Sequence, residues 1–179
     1  LAKRLAAHFN LAHLDTGGLY RALALHLMRK DISAETAEET TAAATIPQLD
    51  LRLIDDPAIR DDAVAHMASV IAAMPAVRAG FLRLQRDFAS APPVGTGAIL
   101  DGRDIGTVIA PEAQAKLFVT DSVEARAQRR FLEMRERGAG VNLLEIQDDL
   151  RRRDERDRNR AVAPLVPAPD AMVIDTSDL

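Results

Sequence analysis

Six arginines fall within the ten residues Arg151 to Arg160, namely Arg151, Arg152, Arg153, Arg156, Arg158 and Arg160, in a chain whose formal net charge is −4. Asp154, Glu155 and Asp157 interrupt them. On a plain helix Arg152 with Arg156, and Arg156 with Arg160, would be like-charged neighbours, each costing roughly 0.2–0.5 kcal/mol. Arg153 with Asp157 recovers about one such pair. Guanidinium grips phosphate through two parallel hydrogen bonds and never loses its charge, so clustered arginine points to an anionic ligand held by geometry. A solvated charged face explains the run about as well when it is taken alone.

Two further segments carry chemistry. Asp101-Gly102-Arg103-Asp104-Ile105-Gly106-Thr107 follows the apolar run Ala98 to Leu100, which sets two carboxylates and an arginine at the carboxyl end of a strand, where open α/β sheets bind ligands. A strand-end aspartate such as Asp101 can help hold Mg²⁺, often through water. The alternative is an Asp-Gly turn with a surface ion pair worth about 0.2–1 kcal/mol. Leu14-Asp15-Thr16-Gly17-Gly18-Leu19-Tyr20-Arg21 reads as strand, small-residue turn and helix start, with Arg21 in the first helical turn. Amides there attract an anion that Arg21 could clamp, although an Asx turn accounts for the segment nearly as well. By themselves Ser69 and Arg78 read as an ordinary helix residue and a solvated charge. His8, His13, His26 and His66 lack metal-ligand spacing and read as structural.

These residues need a frame. Leu1, Leu5 and Phe9 recur at helical spacing until Asn10, and a strand-like stretch Leu11 to Leu14 follows. Tyr20, Leu23, Ala24, Leu27 and Met28 form an apolar stripe, as do Val64, Met67, Ala68 and Ile71, then Val77, Phe81, Leu84 and Phe88 after Pro75. Ala98 to Leu100, Lys116 to Val119 and Ala171 to Ile174 read as buried strands of a parallel sheet. Leu49 to Ile54 also reads as a strand, passing abruptly into helix-like sequence at Asp55-Asp56-Pro57. Asp121-Ser122-Val123-Glu124 and Asn142-Leu143-Leu144-Glu145 predict helices starting near Val123 and Leu143. Alternating strand and helix predicts an open α/β layer fold.

Bulk properties narrow the classes. A chain of 179 residues, 47% hydrophobic, suits one domain with small appendages. The absence of cysteine removes disulfides, thiolate metal sites and thiol nucleophiles, and suits a reducing cytoplasm. No apolar run approaches the roughly 18 residues of a membrane span. One tyrosine and five phenylalanines offer few stacking platforms, which, with the interleaved acids, speaks against a nucleic-acid-binding module. No oligomer interface stands out, so a monomer is expected.

Taken together and in order, Asp15 to Arg21, Asp101 to Thr107 and Arg153-Asp154-Glu155-Arg156-Asp157-Arg158-Asn159-Arg160-Ala161-Val162-Ala163-Pro164-Leu165 closely resemble the bacterial cytidylate (CMP) kinase family of P-loop kinases, with Ser69 to Arg78 at the expected place. The resemblance covers nearly the whole chain. It implies a three-layer α/β fold with a five-stranded parallel core, forming one kinase domain over 1–179. A monophosphate-binding insert would occupy 30–90 and a lid 138–160. It also implies a first strand and glycine-rich phosphate loop ending in lysine ahead of Leu1, further insert residues near 55–57, and a C-terminal helix after Thr176-Ser177-Asp178, none of which is in this sequence.

The implied activity is transfer of the γ-phosphate of ATP to CMP or dCMP, with Mg²⁺. By resemblance Arg21 and Arg103 hold the CMP phosphate, Thr16 lies beside the nucleotide, and Ser69, Arg78 and Asp104 read the cytosine edge. Asp157 with Arg153 contacts the ribose hydroxyls, Arg160 completes the acceptor site, Arg156 and Arg158 face the ATP phosphates, and Asp101 orients water around Mg²⁺. Another P-loop kinase acting on UMP, AMP or shikimate is the alternative.

Overall fold

The computed structural model describes residues 1–136, 140–159 and 162–178. The chain divides into two compact units, Leu1–Ile105 and Gly106–Leu179.

In the first unit, α1 (Ala2–Phe9) stops at Asn10, whose left-handed backbone (φ 53°) lets its N–H reach the carbonyl of Ala6. Asparagine tolerates that conformation because its short polar side chain bonds locally. Strand β1 (Ala12–Asp15) pairs in parallel with β2 (Ala98–Asp101), and the register sets Ala12 against Ala98 and Asp15 against Asp101. Helix α2 (Thr16–Met28) follows β1 without a separate turn. This corrects the expected Thr16-Gly17-Gly18 turn: the Asp15 carboxylate accepts from the Gly18 N–H at 3.0 Å, so the glycines already form the first helical turn and Arg21 stands in the second.

Helix α3 (Glu39–Thr45) leads into 3₁₀ turns at Ile46–Gln48, Leu51–Asp55 and Pro57–Arg60. The strand expected over Leu49 to Ile54 is therefore absent. Asp50 accepts from the Arg52 N–H at 3.0 Å and Asp56 from the Ala58 N–H at 2.9 Å, local bonds that close tight turns instead of a ladder. Leu49, Leu53 and Ile54 still pack against the core.

That core is made by three helices. Leu19, Leu23 and Leu27 of α2 meet Val64, Met67 and Ile71 of α4 (Asp62–Ile71) and Val77 and Phe81 of α5 (Pro75–Ser90). All are 2% exposed or less, and each buried side chain of this size contributes about 1.5–3 kcal/mol. The stripes read from sequence are the faces that meet here.

In the second unit, β3 (Leu117–Thr120) pairs in parallel with β4 (Met172–Asp175), Leu117 opposite Met172. Leu117, Val119, Met172 and Val173 are exposed, unlike the buried strands expected, since a two-stranded pair has few neighbours to cover its faces. Helices α6 (Val123–Glu136) and α7 (Leu143–Asn159) begin where expected. Ser122 Oγ accepts from the Ala125 N–H at 3.1 Å, and Asn142 Oδ1 from the Leu144 N–H at 3.0 Å. The described residues thus form an α/β arrangement with four strands in two parallel pairs. Among them no single helix is long and apolar enough to cross a membrane.

Candidate functional site

The first unit gathers its polar residues where β1 and β2 end. Asp15 and Asp101 lie side by side in register. Asp15 is engaged in capping α2, and the adjacent Thr16, buried at the helix start, donates its hydroxyl to the Asp101 carbonyl at 2.8 Å. That bond ties the helix start to the end of the neighbouring strand. Gly102 is required beside it, because a Cβ there would come within 2.2 Å of Thr16 Oγ1.

Asp101 has an unusual environment. The side chain is 47% exposed as a whole, yet its Oδ1 is shielded without a hydrogen-bond partner, whereas Oδ2 lies 3.4 Å from Nε2 of His13. A buried carboxylate oxygen without a partner fits a group that brings donors or positive charge. Among the described residues no group of three or more His, Asp or Glu side chains is placed to hold a metal ion.

Three residues further on, Asp104 is buried and forms an ion pair with Arg78 of α5. Arg78, itself 8% exposed, also donates to the Ala72 carbonyl at 3.2 Å and lies 6.0 Å from the Tyr20 ring centroid. Tyr20 in turn meets Phe81 edge to face at 5.1 Å. The solvated charge that Arg78 resembles in isolation is thus a buried, specifically held guanidinium. Ser69, buried in the last turn of α4, stands three residues before Ala72. Arg21 is half-buried on α2 with no ion-pair partner among the described residues, and Arg103 is half-buried beside Asp104.

In the second unit, α7 carries the arginine tract. Arg153 Nε lies 4.0 Å from Asp157 Oδ2, the pair expected from spacing. Asp157 is buried, and its backbone carbonyl accepts from the Leu165 N–H at 2.8 Å. Asp154, also buried, is gripped by both terminal nitrogens of Arg126 from α6, Nη1 at 3.0 Å. Arg151 donates to Glu124 at 2.9 Å and lies 3.4 Å from Asp148. A cleft of about 390 Å³ lies beside this face, lined by Val123, Arg151, Asp154, Glu155, Arg158 and Asn159. Arg156 is half-buried and Arg158 exposed, whereas Arg160 lies outside the described residues.

The structure therefore brings together Thr16 with Asp101, Arg78 with Asp104, and Arg153 with Asp157. Sequence reasoning missed His13 and Arg126. The alternation of β1 offers a signal for the first, because residues 13, 15, 99 and 101 share one sheet face once the register is known. Nothing local marks Arg126, since its partner lies 28 residues away.

The model of the cytidylate kinase family matches residues 1–179. A cytidylate kinase of Paramagnetospirillum magneticum is 53% identical over 180 residues, spanning all of this chain and 84% of that protein. One from Rhodopseudomonas palustris is 51% identical over 179 residues, spanning 82% of its length. Another from Methylocella silvestris is 51% identical and 81% covered. Matched by that family's model from end to end and by relatives about half identical to it, the chain belongs to the cytidylate kinase family.

Proposed function

We propose that this protein transfers the γ-phosphate of ATP to CMP and dCMP, releasing ADP and the nucleoside diphosphate in the cytoplasm. The observation that carries the reading is the buried Arg78–Asp104 pair just beyond the end of β2, in a chain matched to the family along its whole length. Cytosine presents an exocyclic amino donor beside a ring-nitrogen acceptor. A carboxylate takes the first and a guanidinium serves the second, with Ser69 nearby as a further hydrogen-bonding group. An ill-matched base would leave buried hydrogen-bonding groups of this pair facing groups that cannot answer them, the kind of penalty that discriminates strongly.

Phosphoryl transfer asks little covalent chemistry of side chains. What counts is alignment of donor and acceptor and neutralisation of charge on the transferred group. Arg21 and Arg103 hold the CMP phosphate, with Thr16 beside it. Arg156 and Arg158 serve the ATP phosphates from α7, Arg160 completes the acceptor site, and Asp157, oriented by Arg153, takes the ribose hydroxyls. Asp101 is the carboxylate suited to Mg²⁺, which when bound with ATP supplies positive charge to the β- and γ-phosphates. Exclusion of water by closure protects the phosphoryl group from hydrolysis.

A coupled ADP-release assay on the full-length protein across CMP, dCMP, UMP, AMP and shikimate tests the reading. CMP and dCMP should be turned over at least about tenfold faster than the rest, a margin of about 1.4 kcal/mol. Equal or greater turnover of UMP would defeat the proposed base recognition. Asp157→Ala should lower kcat/KM for CMP more than for dCMP, since only CMP presents the 2′-hydroxyl. Equal losses on the two would remove Asp157 from sugar recognition.

A further inference from the structure

We infer that His13 is a positioning residue for Asp101, holding that carboxylate in the orientation in which it receives a divalent cation. The inference rests on the phosphoryl-transfer reading of the site. His13 and Asp101 belong to neighbouring parallel strands, two residues apart in register, and therefore project from the same face of the β1–β2 pair. Nε2 of His13 lies 3.4 Å from Asp101 Oδ2, and the imidazole, on a side chain only 16% exposed, finds no other hydrogen-bond partner for that nitrogen. Asp101 Oδ1 is buried and equally without a partner. An imidazole nitrogen able to donate thus stands beside a half-exposed carboxylate that can only accept, with one oxygen of that carboxylate shielded and unpartnered.

The strand backbone fixes His13 more tightly than a loop could. Thr16 meanwhile fixes the Asp101 main chain from the other side, through the 2.8 Å bond to its carbonyl. The carboxyl group can still rotate about χ1 and χ2, and the imidazole, 3.4 Å from Oδ2, is placed to restrict that rotation. A carboxylate that serves a cation is commonly held by such an outer partner, and loss of the partner weakens metal affinity about 10–100-fold. Leucine or alanine would fill or vacate the space but supply no donor, whereas glutamine carries an N–H at comparable reach.

The test measures Mn²⁺ binding to the full-length protein with ADP present, by electron paramagnetic resonance, so that no turnover is needed. His13→Leu should weaken Mn²⁺ binding about tenfold while leaving the CMP dissociation constant unchanged, and His13→Gln should restore affinity to within about threefold of wild type. Asp101→Asn should weaken Mn²⁺ binding at least as much, and His13→Leu should add nothing in that background. His13→Ala serves the same purpose if the leucine variant fails to fold. Wild-type Mn²⁺ affinity in the His13→Leu or His13→Ala protein would overturn the inference. So would a further loss in the Asp101→Asn background, or a His13→Gln protein as impaired as the leucine variant. Failure of the wild-type protein to phosphorylate CMP would instead defeat the functional reading, and the Mn²⁺ measurements would still decide the role of His13.

Discussion

Arg78 and Asp104 are 8% and 7% exposed and form a buried ion pair. Taking two charges out of water costs several kcal/mol per ion, which mutual attraction offsets only while both remain. Removing one partner is thus far worse than removing both. Asp104→Ala is expected to lower unfolding free energy by about 3–5 kcal/mol, because Arg78 then keeps its charge in a site closed to water. The double variant Arg78→Met with Asp104→Leu should recover most of that loss, although neither protein retains base recognition. Urea unfolding at neutral pH reads both quantities. A double variant as unstable as the sum of the two single changes would show that the two charges are not coupled and that each single loss arises from another contact. The same separation explains why Arg78 looked ordinary in sequence: nothing in Val77-Arg78-Ala79 signals burial, which follows only when α4, α5 and Tyr20 close around it.

At the scale of elements, the site depends on how β2 hands over to its loop. The close approach of Gly102 to Thr16 Oγ1 leaves no room for a side chain. Gly102→Ala should cost about 1–3 kcal/mol, since either the Thr16–Asp101 bond or the loop must give way. Thr16→Ala alone should cost about 1 kcal/mol for the lost hydrogen bond. Because it removes the atom that the new methyl strikes, the double variant should be less damaged than the sum of the two by 0.5 kcal/mol or more, a coupling typical of groups in contact. Strict additivity by thermal unfolding would show that the obstruction lies elsewhere in the loop. The elements themselves were largely legible. The apolar stripes of α2, α4 and α5 follow the helical period, and Asn10, Ser122 and Asn142 mark ends by chemistry that acts within a few residues. Leu49 to Ile54 misled because its apolar residues suit a strand, while the deciding bonds come from Asp50 and Asp56, whose side chains close turns two residues ahead. For the candidate site the motifs stood out, and spacing alone gave Arg153 with Asp157, but the longer pairings did not show. The partners of Asp104, Asp154 and Asp101 come from 26, 28 and 88 residues away along the chain, and only tertiary packing selects them.

At the scale of the whole molecule, the carboxyls and the histidine that folding clearly perturbs among the described residues all shift downward, while Arg52, raised by Asp50, titrates far above neutral pH. The Asp56 carboxyl is held below its ordinary value by the Ala58 N–H and by Arg29, and that of Asp50 by Arg52. The Ser33 hydroxyl does the same for Glu35, Lys116 for Asp170 and the Ser177 hydroxyl for Asp175. Glu124 is lowered by its own backbone N–H and then by Arg151. His26 is lowered as well, by burial and by the nearby Lys30 charge, so the fold favours its neutral form. Each of these groups binds fewer protons folded than unfolded, and stability must therefore rise with pH through each titration. For His26 the contribution is complete above the ordinary value of 6.5 and is lost as pH falls through the lower folded value. For the carboxylates it is complete above 3.8 for aspartate and 4.5 for glutamate, and is lost below them. Thermal unfolding midpoints should thus decline in two stages as pH falls from 8, the first beginning near pH 6.5 and the second below about pH 4.5. His26→Gln should flatten the first stage and leave the second intact, because glutamine has no proton to gain. A midpoint that rises between pH 7 and 5, or a first stage that survives His26→Gln, would mean that a group other than His26 governs stability in that range.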